Sequence, residues 1–312
     1  MNISVIIPVY NAEAFLEKAV NSALIFEEVK EILLIEDCST DNSLVVCNNL
    51  IKKDSRIKLL QHPDKGNHGA GATRNLGLEK ASFEFIGFLD SDDYYLPNRF
   101  DAEKIIFKNP KIDGVFGALG IEYLSEKGEQ EFRDKFKDIT LTTVKYEAEG
   151  KEVFRGLLNL TSRHFGTFFH LNTLTIRKST LLNSKLEFNK DLRVHQDSDF
   201  ITKLAYHCYL KSGIIDKAIA IRGVHDDNRI TKIKLYSKEY NQRQLLLWTS
   251  LYNWSKEVKL ESDEKKYLLL QQKAFELSHQ NGLLKIANLL SILIRYPEIL
   301  KTRYRFTYTH NS

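Results

Sequence analysis

Two hydrophobic periods alternate through the first hundred residues, and this alternation restricts the fold more than any other feature. Residues 3–8 form a short β-branched run, and residues 12–24 then carry Phe15, Leu16, Ala19, Val20, Ala23 and Leu24 at helical spacing. Residues 32–35 read again as a buried strand. Ser39, Asp41 and Asn42 follow, all helix-starting types, and then an apolar face of Leu44, Val45, Cys47 and Leu50. Residues 57–60 give a third strand. The turn GNHGAG at 66–71 leads into a helix through residue 81, and residues 85–89 form a fourth strand that ends in DSDD. Strand and helix repeating at intervals of about 25 residues predict βαβ units and a mostly parallel, doubly wound α/β sheet. Strands covered on both faces need no polar alternation, which accounts for the unbroken apolar runs.

Such a sheet places ligands outside the carboxyl ends of its strands. Pro8-Val9-Tyr10-Asn11, Glu36-Asp37 and Asp90-Ser91-Asp92 all stand at such ends. Three polar clusters from separate strands therefore converge on one rim.

Composition removes several function classes. At 43% hydrophobic and 28% charged, the chain has a globular balance, and 312 residues can bury a core without disulfides. A net charge of +4 does not point to nucleic acid. Three cysteines (Cys38, Cys47 and Cys208), with no C-x-x-C pair, argue against a disulfide framework or a zinc site and suit a reducing, cytoplasmic compartment. The opening MNISVIIPVYN has no basic segment and no cleavage site, so it reads as a strand and not as a signal peptide. No stretch reaches the ~18–20 apolar residues of a membrane span; residues 283–294 are interrupted by Lys285 and Asn288.

The pattern is less regular after residue 110. Lys127-Gly128 suggests a hairpin turn, residues 151–160 a short helix, 171–177 a strand and 198–210 a helix. From about 234 to 300 the chain reads as helical. The change of pattern puts a boundary near 231, between residues 1–231, which carry the polar strand ends, and 232–312, a helical C-terminal region.

Several polar groups can carry chemistry. In an extended segment Asp90 and Asp92 point the same way and can offer hard oxygen ligands to Mg²⁺ or Mn²⁺, with a diphosphate completing the shell. The competing reading is an acidic turn that caps the next helix. Asp37 can accept from a uracil or ribose, or make an Asx turn or cap, a role that Asp41 fits better. Glycines in GNHGAGATRN permit close backbone approach, and Arg74 can meet phosphate or carboxylate. Asp197, in HQDSDF just before an apolar-periodic helix, is either an N-cap or a shielded general base. His225 is either a metal or phosphate ligand or a solvated loop residue.

Taken together, VIIPVYN, the acid of IEDCSTDNS, the G-x-G-x-x-x-RN turn, FLDSDD and a later acid before a helix resemble family 2 inverting glycosyltransferases of the GT-A fold. The ordered match covers about residues 2–231. The resemblance implies that Pro8, Tyr10 and Asp37 line the nucleotide pocket. It makes Asp90 and Asp92 the D-x-D element, with Asp92 the direct metal ligand, and matches Asp197 to the catalytic base. His225, near Arg222, resembles a late histidine that meets metal or diphosphate. It further implies a Mn²⁺ or Mg²⁺ cofactor, a UDP-sugar donor and a glycan or lipid-linked acceptor in cell-surface polysaccharide synthesis. Two departures lie on the acceptor side: Gln196 stands where the family has Glu, and KLEFNKDL lacks the usual glycine.

The alternatives are a nucleotidyltransferase, for which PVYNAEAF lacks the basic glycine-rich loop, and a non-catalytic binding protein, against which DSD and Asp197 argue. In the tail, the apolar residues 283–294 precede Arg295, Lys301, Arg303 and Arg305, interleaved with aromatics. That combination suits peripheral contact with the inner membrane face. Packing on the catalytic domain, or a homodimer contact, is the favoured reading because no clean polar face is visible.

Overall fold

The computed structural model describes residues 1–136, 139–166, 168–226, 232–235 and 237–302. The chain divides into two compact units, Met1–Asp227 and Asn228–Ser312.

The first unit is built on a seven-stranded sheet. Its elements begin with β1 (Ile3–Val9), α1 (Leu16–Leu24), β2 (Val29–Glu36), α2 (Ser43–Lys53), β3 (Ile57–Gln61), α3 (Gly69–Lys80) and β4 (Phe85–Phe88). β5 (Tyr94–Tyr95), α4 (Asp101–Ile106), β6 (Gly114–Phe116), β7 (Ala118–Tyr123), α5 (Glu126–Phe136) and α6 (Lys151–Leu157) follow. The unit is completed by a 3-10 turn at Leu171–Thr173, β8 (Thr175–Arg177), α7 (Lys178–Ser184), α8 (Gln196–His207), β9 (Leu210–Ser212) and β10 (Ala218–Val224). The strand order is β3-β2-β1-β4-β8-β6-β9. β1 runs parallel to β2 and β4, and β2 parallel to β3, whereas β8 is antiparallel to β4 and β6. A smaller sheet pairs β10 with β5 and β7. The expected mostly parallel α/β sheet is therefore the one found.

Val5, Ile7, Ile32 and Leu34 are sealed from solvent between helices on the two faces, as unbroken apolar strands require. Two loops at the carboxyl edge are tied together. Asn11 Oδ1 accepts from the Thr40 amide, Asp41 accepts from Glu13, and Ser43 Oγ accepts from Ala12. Asp41 also accepts from the Ser43 amide two residues on, the Asx turn expected of it.

Three local expectations are corrected. Lys127-Gly128 is not a hairpin turn; it opens α5, where Ser125 Oγ accepts from the Gly128 amide, Glu129 pairs with Arg133 one turn on and Phe132 is buried. Residues 171–177 begin as a 3-10 turn before becoming strand. On α2, Leu44 and Val45 face solvent, and Ser43, Cys47 and Leu50 face the core. All three cysteines are free thiols, Cys38 exposed and the others buried.

Among its described residues the second unit has three α-helices, α9 (Lys238–Trp254), α10 (Ser262–Ser278) and α11 (Gly282–Arg295), and a 3-10 turn at Pro297–Lys301. A capping box of Glu261 and Glu264 starts α10. Leu270, Ala274, Leu277 and Ile299 form its small core. No helix among the described residues is long and apolar enough to cross a membrane.

Candidate active site

The carboxyl edge of the sheet gathers charged residues from distant parts of the sequence around one cation. Arg74 lies on α3 and is 3% exposed. Its Nη2 donates to Asp90 Oδ1 at 2.7 Å, and its Nη1 donates to Asp197 Oδ1 at 3.1 Å. Burial disfavours the guanidinium charge, but Asp197 and Asp90 outweigh that cost and raise its pKa. Three of the residues singled out from sequence thus form a single cluster.

The two carboxylates respond differently to this cation. Burial pushes Asp90 up, but Arg74 outweighs it and holds its carboxyl below the ordinary range. At Asp197 burial dominates; Arg74 opposes it, Asp90 adds to it, and the pKa is raised. Asp197 is not an N-cap. His195 occupies the cap position, and Asp197 sits in the first turn of α8 with its carboxylate turned to Arg74. An acid in the first turn still benefits from the helix dipole. Raised pKa, partial exposure and a positioned carboxylate together suit proton abstraction.

Asp92 takes a separate direction. Its Oδ2 lies 3.3 Å from His225 Nε2, and the His225 ring packs at a tilt against Phe15, with ring centroids 4.6 Å apart. β10 approaches closely enough to bring His225 there because residue 223 is glycine: a Cβ on Gly223 would lie 2.5 Å from the Asp92 carbonyl oxygen.

Asp93, the last acid of DSDD, is a structural residue. It is 4% exposed and accepts from Asn172 Nδ2 at 2.5 Å and from the Gly223 amide at 2.9 Å. Burial, followed by the Asp92 and Asp90 charges, raises its pKa well above the usual value. Asn172 also accepts from the Asp90 amide at 3.0 Å, so one side chain fixes both ends of DSDD. Asn172 is held in turn by Arg99, which is fully buried and donates to the Asn172 and Leu174 carbonyls and to the Glu103 carboxylate. The competing helix-cap reading of DSDD does not apply, since β5 follows it directly.

Two sets of groups can be weighed as metal ligands. Asp90, Asp93 and His170 bring ligand atoms within 4.8 Å of one another. However, His170 Nδ1 accepts from the Asn172 amide, which leaves its Nε2 as the protonated nitrogen facing Asp90. Burial, then Arg222, lowers the His170 pKa to about 3, so the ring is neutral. Asp93 is already occupied by Asn172 and Gly223. The Asp92–His225 pair fits better: cis ligands with metal bonds of about 2.1 Å stand roughly 3 Å apart, and Asp92 and His225 are separated by 3.3 Å.

The residues expected to line a nucleotide pocket differ in exposure. Pro8 is half-buried near the end of β1, and Tyr10 is exposed just beyond it. Asp37 is buried and accepts from the His68 and Gly69 amides at 2.7 and 2.8 Å, so its carboxylate latches the glycine turn to β2. Gly69, at φ 81°, supplies a left-handed conformation there that a side chain would strain. Gln196 lies over Gly71, where a Cβ would come within 2.2 Å of its Oε1.

Residues 4–158 match the profile of glycosyl transferase family 2. The chain belongs to that family. Among curated relatives of this family 2 chain, the minor teichoic acid biosynthesis protein GgaA of Bacillus subtilis is 31% identical over 214 residues, 64% of this chain and 42% of GgaA. The chain therefore spans less than half of that relative's length. A GalNAc(5)-diNAcBac-PP-undecaprenol beta-1,3-glucosyltransferase of Campylobacter jejuni is 28% identical over 258 residues, 76% of this chain and 78% of that protein. Among solved structures, S. aureus TarS 1-349 in complex with UDP-GlcNAc has a TM-score of 0.64 at 19% identity, covering 100% of this chain and 88% of the other. That likeness bears on the fold, which is of GT-A type as expected for the family.

Sequence reasoning missed His170, Asn172 and Arg99. The first two stand at alternate positions in the apolar run FFHLNTLTI, which was the available signal. Nothing in LPNRF marks Arg99 as a core residue.

Proposed function

We propose that this family 2 glycosyltransferase moves a sugar from a nucleoside diphosphate sugar to an acceptor hydroxyl, with inversion and with a divalent metal. The observation that carries the reading is the Arg74 cluster, which joins the D-x-D acid Asp90 to the helix acid Asp197 at one sheet edge. Asp197, partly exposed and with a raised pKa, takes the proton from the attacking hydroxyl. No side-chain nucleophile is required, because a single in-line displacement inverts the anomeric centre.

Asp92 and His225 are the residues that would hold Mn²⁺ or Mg²⁺. Such an ion supplies charge neutralisation for the departing diphosphate. In this reading Arg74 shares its charge between Asp90 and incoming phosphate oxygens. Pro8 and Tyr10 line the nucleotide side, and Asp37 shapes it through the glycine turn. Residues 1–231 make up the catalytic region in this reading, and 232–312 are a helical addition. The donor we favour is a UDP-sugar, and the acceptor a glycan or lipid-linked intermediate in cell-surface polysaccharide synthesis on the cytoplasmic side. The names of the Bacillus and Campylobacter relatives support that assignment.

A screen of nucleotide sugars for nucleotide release, with and without Mn²⁺, tests the reading. Metal-dependent release from one uridine donor is the expected result. Release of pyrophosphate from a nucleoside triphosphate and sugar phosphate instead would identify a nucleotidyltransferase.

A further inference from the structure

Helix α11 turns its hydrocarbon outward. Lys285 is the buried residue of this helix, and Leu289, Ile292 and Leu293 share the inward side against the small core of the second unit. The opposite side carries Leu283, Ile286, Leu290 and Ile294, spaced to lie in one stripe. Leu283 is 85% exposed and Ile294 87%, and Leu284 stands exposed beside them. A surface helix in water shows the reverse order, with charge outside and hydrocarbon inside. An apolar stripe running the length of a helix marks an interaction surface.

Charge identifies what the surface meets. Residues 228–312 contain 15 Lys and Arg against 7 Asp and Glu, a net of +8, whereas residues 1–227 contain 30 against 34, a net of −4. Beyond the inward-facing Lys285, the sequence from α11 onward, residues 277–312, holds Arg295, Lys301, Arg303 and Arg305 against the single acid Glu298. A symmetric contact between two copies would bring these like charges together. An anionic lipid surface would attract them and would also accept the leucine and isoleucine side chains at the headgroup boundary.

We propose that the outer face of α11 is a docking surface for an anionic membrane, with the helix lying in the plane of the interface. The stripe enters the acyl boundary, and the exposed cations Arg295 and Lys301 that follow it meet lipid phosphates. The binding is peripheral, since no described helix can span a bilayer.

The test is co-sedimentation of the full chain with phosphatidylcholine vesicles with and without phosphatidylglycerol, at low and high salt. The wild type is expected to bind the anionic vesicles, less so in high salt. The double variant Leu290→Glu, Ile294→Glu is expected to lose about tenfold or more of that binding. Both positions face solvent, so its melting temperature and its nucleotide release stay at wild-type values. Equal vesicle binding by wild type and variant would overturn the proposal. So would a wild-type dimer that the variant turns into a monomer without any vesicle binding, which would make the stripe a contact between copies. A melting temperature lowered by several degrees would place the stripe inside the folded chain and would equally overturn it.

Discussion

Arg74 Nη1 lies 3.1 Å from Asp197 Oδ1 across 123 positions of sequence, and the same guanidinium holds Asp90 through its other nitrogen. The proposed base and the proposed diphosphate side of the site are thereby linked through one buried cation. Occupation of either neighbour changes the charge that the other feels.

The pH dependence of activity follows from that link. Burial raises the Asp197 pKa and Arg74 opposes the rise. The acid limb of kcat/KM should therefore lie above the ordinary aspartate value of 3.8. Removing the cation in Arg74→Gln removes a lowering influence, so the limb moves further toward high pH. Activity at fixed neutral pH falls at the same time. A pH–rate profile of both proteins checks the sign; a limb that moves to lower pH would contradict it.

Arg74→Ala should also destabilise the first unit. It leaves two carboxylates facing each other without their shared cation, a loss of about 3 kcal/mol for pairs of this kind, at the low end because Asp197 is a third exposed. Urea unfolding of the variant against the wild type measures it.

Asn172→Ala should disturb the site without touching substrate. The amide side chain serves both the Asp90 backbone and the Asp93 carboxylate, and its loss leaves buried polar groups unsatisfied at about 1–3 kcal/mol. Thermal unfolding should show the destabilisation. Affinity for Mn²⁺ should fall as well, because the DSDD segment loses its brace.

Two substitutions examine the metal pair. Asp92→Ala should weaken Mn²⁺-dependent donor binding and abolish turnover, since a hard ligand is lost. Gly223→Ala should do the same less severely, because a Cβ 2.5 Å from the Asp92 carbonyl forces β10 and His225 away. Overpacking of this kind costs about 1–3 kcal/mol. Calorimetric titration of Mn²⁺ into both variants reads the effect; normal affinity in both would remove Asp92 and His225 from the metal site.

Much of the fold was legible because unbroken apolar runs in a chain of alternating period mark a parallel sheet, and each run ended in polar residues. Asp90 and Asp92 could be found that way, and Arg74 by the glycine-rich turn ahead of its helix. The pairing of Arg74 with Asp197 could not, since it depends on α8 packing back over α3 after more than a hundred residues. Asp197 could be read as a cap or as a base, because acids before an apolar helix often cap it; the cap position instead fell to His195, whose backbone is left-handed. Asp37 shows the opposite case. Its place at a strand end suggested nucleotide contact; what could not be read is that its two oxygens also accept from the amides of the glycine turn. Arg99 and Asn172 were hidden because a buried arginine and a buried amide are satisfied only by backbone carbonyls and carboxylates that come from other segments.

The most direct measurement is proton NMR of the sugar first released from an α-linked nucleotide sugar by the wild type and by Asp197→Asn, with water as acceptor and Mn²⁺ present. A single displacement with Asp197 as base gives the β-anomer first. It also gives a rate about 10² to 10⁴ lower in the variant, with donor binding retained. An α-anomer formed first, or an unchanged rate in a folded Asp197→Asn protein, would contradict the account.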